Sequence, residues 1–149
     1  MIPQFNSVMN CKYSTQLPQL SSQCKIFLAE GGLETDFIYR RGSDLPHFAA
    51  FTLLETPEGR QALRDYYIMY VKIARQYKTG IVLQLLTWRL SEPWVKLLGY
   101  ADPAGKVVET NRDAVQLLQS IRSEFEDEHT PVVISGSLGS VQDSYKISA

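Results

Sequence analysis

Three short apolar runs constrain this chain more than any other feature: Ile26-Phe27-Leu28-Ala29, Ile81-Val82-Leu83-Gln84-Leu85-Leu86 and Pro131-Val132-Val133-Ile134. Each leads into a loop, as a buried parallel strand does. The segments between them carry helical spacing. The order strand, helices, strand, helices, strand predicts an α/β fold with parallel strands and right-handed crossovers. In such folds the functional residues collect just beyond the carboxyl ends of the strands. That rule singles out Glu30 to Glu34, Thr87 to Arg89 and Ser135 to Gly139.

The helical stretches are marked by their ends. Leu33 to Arg41 spaces its apolar residues turn by turn, with Gly42 as a stop. Asp44-Leu45-Pro46 opens a segment expected to be a loop as far as Thr56. Thr56-Pro57-Glu58-Gly59 reads as a helix start, with Thr as N-cap and Pro in the first position. Leu63, Tyr66, Tyr67, Tyr70, Ile73, Ala74 and Tyr77 then recur with a period of about 3.6 residues, a stripe read as packing rather than as a binding face. A short helix is expected around Pro93 to Leu98, closing at Gly99, and a long one from near Thr110 through Phe125. Residues 1–24 show no sustained period and carry Pro3 and Pro18. They are expected to be a poorly ordered leader ahead of a single domain, residues 25–149.

Composition narrows the partners. At 149 residues there is enough chain for one core, and 44% apolar with 21% charged residues is ordinary for a soluble globular protein. The net charge of −1 predicts no nucleic-acid partner and no anionic membrane surface. No apolar run approaches the roughly 20 residues of a membrane span. The first 25 residues lack the basic start and apolar stretch of a secretory signal, so a cytoplasmic location is expected. Cys11 and Cys24 are too few for a disulfide framework or a four-ligand zinc site, and read as reduced thiols.

The three loop segments differ in what they offer. Glu30 at a strand end can bind a ligand ammonium by a charge-assisted hydrogen bond, and Gly31-Gly32 lets the backbone come close to that ligand. A tight turn with a solvated glutamate is the other reading. The G-x-G-x-x-G spacing of a dinucleotide site is missing. Thr87-Trp88-Arg89 offers a hydroxyl, an aromatic wall and a fixed cation that could grip a carboxylate. Alternatively Thr87 caps the next helix, Trp88 packs in the core and Arg89 lies on the surface. Ser135-Gly136-Ser137-Leu138-Gly139 is either an anion-binding turn or a compact strand-to-helix turn. A Ser-His-Asp arrangement fails, since His47 sits in a loop and His129 lies ahead of the third strand.

Taken together, these segments resemble the homocysteine S-methyltransferase family, most closely its bacterial and fungal-type members, from about Ile26 to Tyr145. Glu30-Gly31-Gly32-Leu33-Glu34-Thr35-Asp36 through Arg41-Gly42 resembles the opening motif of that family. Asp44-Leu45-Pro46-His47-Phe48-Ala49-Ala50-Phe51, Thr87-Trp88-Arg89, Leu98-Gly99-Tyr100 and Asn111 look like the same subgroup. Ser135-Gly136, Gly139, Asp143 and Tyr145 resemble its third-strand motif. The resemblance implies a (β/α)8 TIM-type barrel that moves a methyl group from a donor such as S-methylmethionine to homocysteine, giving methionine. It implies a zinc ion, held by three cysteines, that keeps the homocysteine thiol deprotonated. It also implies a substrate-binding role for Glu30, Gly31, Gly32 and Thr87, with homocysteine and the methyl donor as partners.

The departures define the expectation further. The family takes its zinc ligands from a single Cys after a later strand and from a Gly-Gly-Cys-Cys near the last strand, and neither is in this sequence. Cys24 lies ahead of strand one, while the site lies beyond its far end. A five-residue strand at about 3.3 Å per residue separates them by roughly 16 Å, against a Zn–S bond of about 2.3 Å. Gln84-Leu85-Leu86 stands where the relatives carry Glu-Ser-Pro, and Ser140 and Gln142 where they carry Pro and Gly. A complete barrel needs eight strands and about 250 residues. The chain therefore reads as the first three strands of a barrel with their helices, without zinc ligands, and with open strand edges that invite self-association. A non-catalytic fragment or short isoform with at most amino-acid or protein binding is the alternative.

Overall fold

A computed structural model describes residues 26–143, together with Lys12, Tyr13, Thr15, Pro18 and Tyr145. Apart from Lys12, Tyr13, Thr15 and Pro18, the expected leader, with Cys11 and Cys24, lies outside the described residues. Three parallel strands, β1 (Phe27–Ala29), β2 (Gly80–Gln84) and β3 (Val132–Ser135), form one sheet in the order β1-β2-β3. Phe27 pairs with Gly80, and Ile81 with Val132, so the carboxyl ends of all three strands lie together. The fold is mixed α/β, as the alternation of apolar runs requires. No helix among the described residues is long and apolar enough to cross a membrane.

The strands form a little off the expected limits. Ile26 is exposed and outside β1, while Leu85 and Leu86 are buried but lie past the end of β2. Burial decides an apolar run; hydrogen-bond pairing decides a strand.

Two long helices cover the sheet. In α2 (Pro57–Gln76) the Thr56 hydroxyl accepts the Gly59 N–H at 3.0 Å, and Leu63, Tyr66, Tyr67, Val71 and Ala74 are buried. Ile73 and Tyr77, counted in the expected stripe, face solvent instead, and Val71 takes the core position. In α4 (Pro103–Phe125) the start falls at Pro103, ahead of the expected Thr110. The Asp102 carboxylate caps it by accepting the Gly105 N–H at 3.0 Å, the same cap-Pro-x-Gly device as at Thr56. Its first turns bury little, so the apolar period becomes visible only from Thr110, Ala114, Leu118 and Ile121. Arg60 with Asp113 and Arg64 with Glu124 join the outer faces of α2 and α4.

The segment expected as a loop is largely helical and lies in the core. It forms 3-10 turns at Pro46–Phe48 and Ala50–Glu55, and Leu45, Ala49, Ala50, Phe51 and Leu54 are all buried. Asp44 and Pro46 mark a turn at the entry, but the apolar residues behind them drive burial regardless. The expected first helix is α1 (Leu33–Thr35) running into a π-helical turn, Asp36–Arg40. The wider turn carries Phe37 onto Tyr66, ring centroids 5.9 Å apart. A short α3 (Glu92–Leu97) ends at Gly99, whose φ of +89° is the left-handed conformation that a glycine closing a helix adopts.

Candidate functional site

The three segments singled out by the strand-end rule converge. A cavity of about 160 Å³ lies beyond the carboxyl ends of the sheet, lined by Glu30, Gly31, Gly32 and Glu34 from the first loop. Gln84, Leu85, Leu86 and Trp88 supply the wall after β2, Ser137 the wall after β3, and Tyr67 the floor from α2. An engineered cavity of about 150 Å³ in another protein holds benzene, so an amino-acid-sized group has room here.

Glu30 is the centre of this cavity. Its Oε1 accepts the backbone N–H of Gln84 at 2.7 Å. Its Oε2 is buried and has no hydrogen-bond partner. Burial pushes the Glu30 carboxyl above the usual glutamate range, with its own backbone amide and that of Gln84 offsetting part of the shift. Glu34 is also raised by burial, offset by its own amide and by the charge of Arg89. Two partly desolvated carboxylates in one cavity form a site that favours a cation.

The first loop is braced from α2. The Tyr66 hydroxyl donates to the Gly31 carbonyl at 2.6 Å, and the Tyr67 hydroxyl donates to the Gln84 carbonyl at 2.8 Å. A Cβ on Gly31 would meet the Tyr70 hydroxyl at 2.7 Å, so a side chain there would push the tip of Tyr70 aside. Burial holds both Tyr66 and Tyr67 far above the usual tyrosine range, which keeps them as donors. Tyr66 and Tyr67 of the expected packing stripe are buried and fix the loop, but Tyr67 also forms part of the cavity wall and Tyr77 is exposed.

The second and third loops are sewn together. Gln84 Nε2 donates to the Ser137 hydroxyl at 3.0 Å. Thr87, expected as a substrate contact, is buried, and its hydroxyl donates to the Ser137 carbonyl at 3.0 Å. Thr87 is absent from the cavity wall and positions it instead. A Cβ on Gly139 would fall 1.9 Å from the Trp88 carbonyl oxygen, so the third loop rests directly on the backbone of the second.

Arg89 does not lie on the surface. Its side chain is only 3% exposed, stacked between Trp88 and Trp94 with its guanidinium carbon 4.1 and 4.0 Å from the two ring centroids. Trp88 and Arg89 face different cavities, so the three-residue seat for a single zwitterion does not form.

The chain matches no protein-family model, no curated protein and no solved structure.

The donors around Glu30 do not fit zinc. Among the described residues they are two carboxylates, an amide and hydroxyls, with no thiolate or imidazole. His47 lines the other cavity, and His129 is exposed ahead of β3. No group of three or more possible ligands occurs among the described residues. Sequence reasoning finds Glu30, Gly31 and Gly32 from their place after an apolar run. The strand-end rule also brings in Ser137, within Ser135 to Gly139, but misses Gln84 and Tyr67, since each lies at least 37 residues from Glu30 in the chain (67 − 30) and only folding joins them.

Proposed function

We propose that the cavity at Glu30 binds the α-ammonium of a small amino acid, and that the chain forms the first three β/α units of a homocysteine S-methyltransferase-type barrel with homocysteine as that amino acid. The observation that carries the reading is the orphan Oε2 of Glu30. A buried charged acceptor left without a partner costs roughly 1–3 kcal/mol or more, and a ligand ammonium that reaches it by moving the cavity wall supplies the missing donor. Gly31-Gly32 beside it permits close backbone approach. The strand order β1-β2-β3 suits both the opening of a (β/α)8 barrel and half of a doubly wound sheet. The carboxylate and the missing dinucleotide fingerprint favour the barrel.

The residues present support binding and orientation, and they route no step through a metal. In the family, zinc lowers the thiol pKa of homocysteine. Here Glu30 would hold the nitrogen end, Glu34 would add negative potential, and the Tyr66 and Tyr67 hydroxyls would keep the loop in register. A non-catalytic amino-acid binder is the second reading, favoured by the carboxylate, amide and hydroxyl lining among the described residues, which suits holding an amino acid.

Calorimetric titration of the full chain with L-homocysteine and with 4-mercaptobutanoate, which lacks the amino group, tests the proposal. Binding of the first with at least tenfold weaker binding of the second is expected. Equal affinity for the two, or none for either, would remove the ammonium role of Glu30.

A further inference from the structure

We propose that Arg89 anchors a second ligand site, separate from the Glu30 cavity, that takes a small monocarboxylate with an apolar body. Its side chain is 3% exposed, yet Nε and Nη1 are buried without any hydrogen-bond partner. The remaining nitrogen, Nη2, donates to Asp143 Oδ1 at 3.2 Å, and that same oxygen also accepts the Tyr145 backbone N–H at 3.1 Å. A guanidinium has five N–H donors, and one long, shared bond leaves most of them unused. The flat faces are occupied by Trp88 and Trp94, which hold the plane in place without satisfying its edge. Trp94 is itself fixed by donating its indole N–H to the Ser140 carbonyl at 3.2 Å.

A cavity of about 280 Å³ opens at this arginine, lined by His47, Phe48, Arg89, Trp94, Asp143 and Tyr145. Its walls are mostly aromatic, which suits an apolar body, and its fixed cation suits an acidic head. Charge selects the class of anion. Asp143 already faces the guanidinium, and the field of Arg89 is shared with Glu34. The two carboxylates oppose any anion here and oppose a phosphate dianion more than a single carboxylate, so the pocket ranks monocarboxylates first. Nε and Nη1 carry no open surface, so the ligand reaches them by displacing a wall. Tyr145 is the most exposed of the large apolar residues in that wall, with its ring centroid 5.9 Å from the guanidinium. The two cavities share no lining residue, although Trp88, which stacks on Arg89, lines the Glu30 cavity on its other side.

Nitrogen-edited NMR of the full chain titrated with sodium butyrate tests the proposal. The Arg89 Nε–H and Trp94 indole signals should shift saturably while the Gly31 and Gly32 amides stay in place, and butylammonium chloride should move neither Arg89 nor Trp94. Arg89→Lys should weaken butyrate at least tenfold. Asp143→Asn keeps an acceptor for the Tyr145 amide and removes the competing charge, so it should tighten butyrate several-fold. That variant carries the test alone if Arg89→Lys does not fold. No saturable shift, phosphate binding as tightly as butyrate, or unchanged or weaker binding in Asp143→Asn would overturn the proposal.

Discussion

Glu30, directly after β1, accepts the backbone N–H of Gln84, the last residue of β2, at 2.7 Å. The bond locks the first loop to the neighbouring strand and points one carboxylate oxygen into the protein without a partner. A group held this way takes up a ligand donor once the cavity wall yields, and it costs stability without one. Binding and folding therefore make opposite demands on Glu30.

That opposition has a sign. Burial raises the Glu30 carboxyl above the usual glutamate value of 4.5, so between that value and the raised one the folded state holds more protons than the unfolded state. Stability from this group is greatest below the ordinary value and falls as pH rises through the raised one. Glu30→Gln should leave the chain equally or more stable at pH 7 and flatten this part of the profile. Urea unfolding at pH 4 to 8 measures it; a variant that is markedly less stable at pH 7 would mean the carboxylate is satisfied.

Glu126 behaves the other way. Burial works against its charge, but hydrogen bonds from Lys12, from the Tyr13 hydroxyl at 2.7 Å and from the Val132 amide at 3.0 Å outweigh it and hold the carboxyl below the usual range. Its contribution is present above the ordinary glutamate value and is lost as pH falls through the lowered one. Tyr13→Phe should cost about 0.5–1.5 kcal/mol at pH 7 and less in acid. A cost that does not change with pH would count against the clasp between the N-terminal segment and the start of β3.

Gly139→Ala should be damaging well beyond a surface change. Its Cβ would lie 1.9 Å from the Trp88 carbonyl, which is backbone and cannot swing aside. A loss of roughly 1–3 kcal/mol is expected from overpacking of this kind, together with displacement of the Thr87–Ser137 bond. Thermal unfolding within a degree of the parent would show that the two loops are not in contact.

The architecture is readable because its signals are local. Apolar runs locate β1, β2 and β3, and Thr56-Pro57 locates the start of α2, since a cap, a proline and a 3.6-residue period all fall within one stretch. The buried turns at Ala50–Glu55 hide behind Asp44 and Pro46, which signal a loop whatever follows them. At the site, Glu30 can be found from its position, but its orphan oxygen cannot, because that depends on Gln84 arriving from another strand. Arg89 reads either as a carboxylate grip or as a surface residue, and its buried, stacked position is hidden for the same reason. Its burial depends on Trp94 stacking opposite Trp88 and on Asp143 arriving from beyond β3.

The sheet edges carry a further expectation. β1 and β3 each pair only with β2 among the described residues, leaving one edge of each unpaired. Leu138, Val141 and Tyr145 are exposed beyond the end of β3. Open edges next to apolar surface favour pairing between chains. Sedimentation velocity across a hundredfold range of concentration should show mass rising with concentration; a sharp monomer throughout, with cooperative unfolding, would contradict it.

The most direct measurement is the amide spectrum of the full chain titrated with L-homocysteine, in parallel for the parent and Glu30→Gln. Saturable shifts at Gly31, Gly32 and Gln84 in the parent, weakened at least tenfold in the variant and strengthening as pH rises through the raised Glu30 value, are the predicted result. Equal shifts in both proteins, or no shift at these three residues, would contradict an ammonium site at Glu30.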